Sequence, residues 1–580
     1  MATWRPRLVA IPFFAIPFFA LAACRAPTVN VPRPAPAPHV LITIVVDQMA
    51  AWMAETRWPQ LPASGGFARL RREGLTAELR YAHAATDTAP GHAALYTGAT
   101  PRQSGIVANE TLGRDDRPRS ILLDERTRLV DGGGTMIDRP GSSLAHLRVE
   151  TLADALVAQA AGARVYSFSL KDRGALPAAG RRPTVALWLD VAGGTFVTST
   201  AFPPPPPWVA PLAGSAAVAA ARAGGWALDA ADGGFVAEHA ETLDDQDGEG
   251  DLDGLGRVFP HAVPSTKAMR ATPLGDRVLF ALARAALEEI GASARGGPSA
   301  PPALLALSLS SNDYVQHVFG PQSWEAWAEL LELDRRLATL LADADRAVGP
   351  GGYAVLLTSD HGGGALPEVG SEAAGVSCPP HSNPRFDRWE RTCEPRRRLS
   401  PTTLVTALEE AVMAELGPGP WVRGFTEPLI YLTQRGRALA APERARLVRA
   451  AGEALRPLGV RAVEDTRLLD PRGCASESDS LTALVCRAID PGGPGDLYLV
   501  VAPGAFFDAD LVPGFGTNHG SPYLYDRAVP LLVRAPGYLK AGATRDAPVP
   551  AAAFTRTAAS LLGIQPPSSA AAGEDLAALR

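Results

Sequence analysis

Cysteine is scarce in this chain, five in 580 residues, and no two stand as a Cys-x-x-Cys pair, which argues against a structural zinc module. Basic clusters are also scarce. The longest is EPRRRLS at 394–400, and the formal net charge is only −6, so nothing points to a nucleic-acid partner. No internal repeat is found, and no segment has the roughly 20 consecutive apolar residues of a spanning helix. The abundant Ala, Gly and Pro read as a compositional bias without functional weight. A chain of this length can bury a large core, as about three or four domains or as one elaborated α/β enzyme.

What is present begins at the N-terminus. MATWRPRLVAIPFFAIPFFALAAC sets Arg5 and Arg7 before an apolar run and small residues, the anatomy of a secretory leader over 1–23. Its end, LAAC, resembles the lipobox of bacterial lipoproteins, which implies cleavage before Cys24 and a lipid on its thiol; an ordinary leader with a chance cysteine is the alternative. Residues 24–38 form a Pro-rich tether. The expectation is export to the periplasm, held to the envelope through lipidated Cys24. Four cysteines remain, and their spacing favours Cys378–Cys393 and Cys474–Cys486. Each would close a short loop worth about 3 kcal/mol in the chain-entropy treatment, in a compartment that permits disulfides.

Three short, apolar runs end in acid. HVLITIVVDQ stops at Asp47, ALLALSLSSNDY at Asp313, and GYAVLLTSDHGGG at Asp360 and His361. Such runs suit parallel strands covered on both faces. Helical patterns intervene (TLADALVAQAAG, GDRVLFALARAALEEIG, WEAWAELLELDRRLATLLADADRAVG), so the fold class is α/β, a largely parallel central sheet flanked by helices. Ligands gather beyond the carboxyl ends of such strands. Carboxylates crowded there repel one another unless a cation joins them.

Histidine sharpens this reading. Asp313 and His317 stand at i and i+4, Asp360 and His361 are adjacent on a Gly-rich turn, and His519 lies on the Gly-flanked loop PGFGTNHGSP. Oxygen and imidazole donors together suit zinc better than calcium or magnesium. Asp47, Asp313, His317, Asp360, His361 and His519 would furnish two zinc sites, and paired ions can clamp both the entering and leaving oxygens of a displacement. Thr88, in ATDTAPGHAALYTG, then has two readings. It can cap the helix that follows, or it can be a nucleophile whose hydroxyl a neighbouring cation activates.

The order of these residues resembles the alkaline phosphatase superfamily. Within it, VVDQM, TDTAPGHAALYTGATPRQSGIVANE, SFSLKDRGALPAAG, GTFVTSTAF and NHGSPYLYDRAVPLL resemble the monomeric, threonine-nucleophile branch of bacterial phosphate-irrepressible alkaline phosphatases, from residue 39 nearly to the end. The resemblance implies that Asp47, Asp360 and His361 hold one zinc beside Thr88, and that Asp313, His317 and His519 hold the other. It implies that Asn109, Lys171 and Arg173 bind the phosphoryl oxygens of a phosphate monoester, and that Thr88 forms a covalent phosphothreonine that water hydrolyses. Asn312, Gln316 and Asn518 depart from the pattern beside the ligands without removing any.

Insertions into the catalytic domain at 39–580 are expected near 175–264 and 373–514. The first carries DDQDGEGDLDG, which lacks the order of a calcium loop and reads as a solvated segment. The second reads as a small α+β cap. Three rival functions remain. They are a phosphodiesterase of the same superfamily, a sulfatase, disfavoured because TAPGH lacks the C/S-x-P-x-R motif, and a non-catalytic lipid-anchored binding protein.

Overall fold

The computed structural model describes residue 1 and residues 38–294, 300–369, 397–474, 479–509 and 511–578. The expected leader and tether, apart from Met1 and Pro38, lie outside the described residues, as does the expected Cys378–Cys393 pair. All the described secondary structure belongs to one unit, Pro36–Arg580.

The strand Val40–Val46 is buried along its whole length. Its side chains alternate between two cores, Val40, Ile42, Ile44 and Val46 entering one and Leu41 and Val45 the other. The helices Leu274–Ala294 and Trp324–Val348 fill the first core. Thr88–Thr97, Leu152–Gln159 and Ala551–Leu562 fill the second. Ala303–Leu309 and Tyr353–Thr358 divide their residues in the same way, which is why these three runs read as continuous apolar segments rather than alternating ones.

Among the described residues the central sheet has twelve strands. Its middle is parallel, in the order Tyr353–Thr358, Val40–Val46, Ala303–Leu309, Arg164–Ser169, Val185–Asp190. Antiparallel strands follow on both sides, and the two-residue strands Ala543–Thr544 and Val549–Pro550 pair parallel with Leu75–Arg80 at one margin. Ala528–Arg534 and Leu75–Arg80 continue one side, and Thr195–Ser199, Leu123–Asp131 and Met136–Ser142 the other. The register sets Val46 beside Leu309 and Val45 beside Thr358, so Asp47, Asp313 and Asp360 all leave the sheet at one carboxyl edge.

The segment expected as an insertion near 175–264 needs correction. Val185–Asp190 and Thr195–Ser199 within it are fully buried strands of the central sheet. VALWLD and TFVTS are short, and only their partners identify them as sheet. The acidic run is also not wholly solvated, since Glu249 and Leu252 are buried.

The segment expected as the second insertion carries both helices and strands, and the name cap is kept for it. Helices Pro401–Leu416 and Ala441–Leu455 share a core with an antiparallel sheet ordered Val422–Thr426, Leu429–Leu432, Leu497–Val501, Val460–Asp465. The opposite face of that sheet, with Leu429, Tyr431, Tyr498 and Val500, packs with Ala89 and Ala93 of the helix Thr88–Thr97. Cys474 and Cys486 form the expected disulfide, with 5.1 Å between Cα atoms.

Candidate active site

Thr88 is the first residue of its helix, and the preceding Asp87 is the extended N-cap residue. The cap reading of Thr88 therefore fails at the level of single contacts. The Ala89 N–H donates not to Thr88 but to Asn109 Oδ1, at 2.9 Å. The buried Thr88 hydroxyl instead accepts from Lys171 Nζ at 3.2 Å. Gly91, one turn further on, permits a close approach to the Asp360 loop: a Cβ there would stand 2.2 Å from the Asp360 carbonyl oxygen.

Every expected ligand converges on this point. Lys171 Nζ lies 2.7 Å from Asp47 and 2.6 Å from Asp313. His317 Nε2 is 3.2 Å and His519 Nε2 3.7 Å from Asp313 Oδ1. His361 Nε2 is 3.3 Å from Asp47 Oδ1 and 3.6 Å from Asp360 Oδ2. Two groups of three have ligand atoms mutually within 4.8 Å: Asp313, His317 and His519, and Asp47, Asp313 and His361. Asp313 thus stands between the groups, and Asp360 lies beside the second.

The histidines are presented for coordination. Nδ1 of His317, His519 and His361 lies 2.7, 2.8 and 3.0 Å from the carbonyl oxygens of Thr517, Thr86 and Gly362. A carbonyl only accepts, so Nδ1 carries the proton and the Nε2 lone pair faces inward. Among the described residues, buried Asp47 Oδ1, Asp313 Oδ1 and His361 Nε2 make no hydrogen bond. Leaving such atoms unmatched costs about 1–3 kcal/mol each, more when charged. Carboxylate and imidazole lone pairs orphaned around one space fit divalent metal ions with oxygen and nitrogen ligands.

The electrostatics agree. Burial pulls the Lys171 ammonium down, but Asp313 and Asp47 outweigh it and hold it above the usual lysine range. Burial pushes Asp313 up, yet His317 and Lys171 keep it well below the ordinary carboxylate range. Burial opposes positive charge at His361, but Asp360 and Asp47 outweigh it, and a metal cation bound there would take the place of the proton on Nε2. Arg173 is half-buried, and its Nε has no hydrogen-bond partner.

Some supporting residues were not foreseen. His92 Nδ1 is 3.0 Å from the Thr88 carbonyl and 3.1 Å from Asp360 Oδ2, so one imidazole ties the start of the helix to a ligand. Its i+4 spacing from Thr88 was the available clue. Asn312 Nδ2 donates to the Asp47 carbonyl at 2.7 Å, and Asn518 Oδ1 accepts the His519 N–H at 2.9 Å. The departures at these positions are therefore structural supports of the ligands.

The signature of the type I phosphodiesterase / nucleotide pyrophosphatase family matches residues 41–376. Alkaline phosphatase PhoK of Sphingomonas sp is 29% identical over 514 residues, 85% of this chain and 83% of its own length. A Myroides odoratus protein named calcium-transporting ATPase is 26% identical over 523 residues, 88% of this chain and 89% of its own. The crystal structure of alkaline phosphatase PafA superposes with a TM-score of 0.76 at 23% identity, covering 94% of this chain and 99% of that one, and shows the same fold. The chain belongs to the type I phosphodiesterase / nucleotide pyrophosphatase family and is an enzyme of the alkaline phosphatase superfamily, as its motifs imply.

Proposed function

We propose that the protein is a zinc-dependent phosphate monoester hydrolase that works through a phosphothreonine on Thr88. Asp47, Asp360 and His361 would hold one ion beside Thr88, and Asp313, His317 and His519 the other. Bound zinc supplies positive charge that eases deprotonation of the Thr88 hydroxyl and offsets charge developing on the departing oxygen. Thr88 Oγ1 bonds to phosphorus as the ester P–O bond breaks and the alcohol leaves. Water then attacks the phosphothreonine, which releases inorganic phosphate and restores Thr88. The transition state is loose, so positioning and charge dominate over covalent assistance. Lys171, Arg173 and the Asn109 amide hold the non-bridging oxygens, and two cations suit a dianion.

The observation that carries this reading is the 3.2 Å contact of Lys171 with Thr88 in the same buried cluster as the Asp313 contact. The family's description favours a second reading, a phosphodiesterase. Hydrolysis of p-nitrophenyl phosphate against its bis-ester separates the two. The monoester is expected to be preferred, with activity lost to a chelator and restored by zinc. A preference for the diester would select the second reading, and chelator-resistant turnover would overturn both.

The leader and LAAC support export and an anchor in the bacterial envelope through lipidated Cys24, and the family resemblance supports a monomer acting on small phosphate monoesters. The intact mass of the protein from the membrane fraction tests this. It is expected to match a chain starting at a lipid-modified Cys24.

A further inference from the structure

Arg270 lies beside the site without a role in the reading above. It follows the short helix Thr266–Met269, and its guanidinium lies over the Tyr314 ring, with Cζ 4.4 Å from the centroid. Its Nη1 donates to the Tyr314 hydroxyl at 2.9 Å. Tyr314 follows Asp313 directly, and Lys171 Nζ is 4.8 Å from the centroid of the same ring. Together the two ring distances hold Lys171 and Arg270 within about 9 Å of each other, inside the Debye length of about 10 Å at 0.1 M salt.

The charge balance is what makes this arrangement informative. Lys171 is matched by Asp47 and Asp313. Arg270 is half-buried, its Nε is buried without a hydrogen-bond partner, and no carboxylate among the described residues lies at ion-pair distance from it. Arg173 has the same deficit. A partly buried guanidinium with no counter-ion is costly, and two of them near one phosphoryl site leave room for anionic charge from outside the protein. Arg270 also orients Tyr314: the phenol oxygen accepts from Nη1, so its own proton remains available as a donor.

We propose that Arg270, acting through Tyr314 and through its field, is a third cation of the phosphoryl pocket that selects doubly charged ligands, phosphate monoesters and inorganic phosphate, over singly charged diesters. This rests on the monoesterase reading. The field of a fixed cation acts in proportion to ligand charge, so its removal penalises a dianion about twice as much in free energy as a monoanion. Arg270 is a positioning and charge-selecting residue and is not itself required to touch phosphorus.

The test is calorimetric titration of the zinc-loaded protein with inorganic phosphate, comparing the parent, Arg270→Gln, Arg270→Lys and Tyr314→Phe. Arg270→Gln is expected to weaken phosphate by about tenfold, as loss of a partly screened charge does. Arg270→Lys should restore most of that affinity, and Tyr314→Phe should fall between. In parallel, kcat/KM for p-nitrophenyl phosphate should fall several-fold more than for the methyl diester. Phosphate binding unchanged in Arg270→Gln, or equal losses on monoester and diester, would overturn the inference and leave the monoesterase reading standing. Failure of the parent to bind phosphate would remove both.

Discussion

Asn518 Nδ2 donates to the Glu427 carboxylate, 3.2 Å away, and this contact joins the cap to the loop that carries His519. Glu427 sits between the cap strands Val422–Thr426 and Leu429–Leu432. Asn518 also donates to the Phe507 carbonyl at 2.9 Å, and its Oδ1 accepts the His519 N–H. The cap is therefore part of the support of His519, a proposed metal ligand.

Supports of this kind are worth about 10–100-fold in metal affinity. Glu427→Ala is expected to weaken zinc retention in that range, and Glu427→Gln to weaken it less. Competition with a chromophoric chelator reads the effect. An unchanged zinc affinity in Glu427→Ala would show that the cap is only a neighbour of the site.

Thr88→Ala should keep its metal and lose turnover of p-nitrophenyl phosphate by roughly 10³-fold or more, because no other hydroxyl replaces the nucleophile. Metal content and steady-state rates on the same preparation check this. Full activity in the variant would remove Thr88 from the mechanism.

Lys171→Ala combined with Arg173→Ala should cost a monoester about 10²-fold more than a diester, since charge-assisted hydrogen bonds to the second negative charge are lost. The ratio of the two kcat/KM values is the readout, and a constant ratio would count against selection by this pair.

Stability should fall with pH through Glu249. Its side chain is fully buried. Burial and the adjacent Glu325 raise its carboxyl from 4.5 to about 9, against a smaller lowering by the Gln246 N–H. Between those values the native state keeps a proton that the unfolded chain has released. The contribution of Glu249 therefore declines as pH rises, by about 1.4 kcal/mol per pH unit, and levels off above the native value. Glu249→Gln removes this dependence. Denaturant midpoints near pH 5 should coincide with the parent's, and the variant should gain on it progressively toward about pH 9. Parallel curves would mean that Glu249 is ionised in the native protein.

The sequence by itself determined three strands of the parallel middle of the sheet and the residue types at their ends. Val40–Val46, Ala303–Leu309 and Tyr353–Thr358 are apolar on both faces, and only a doubly covered strand makes that pattern stable. The acids that end them, with His317, His361 and His519, were legible because local order fixes residue type at a strand terminus. Tertiary structure alone decided the rest. Val185–Asp190 and Thr195–Ser199 pair with each other, and they join the central sheet because Arg164–Ser169 and Leu123–Asp131 lie beside them. Lys171 meets Thr88 across 83 positions, and Glu427 meets Asn518 across 91. Arg270 stacks on Tyr314, and Asp313 stands between two ligand groups. Periodicity and propensity act within a few residues. Contacts of this kind arise only when separate loops are packed together at one edge of the sheet.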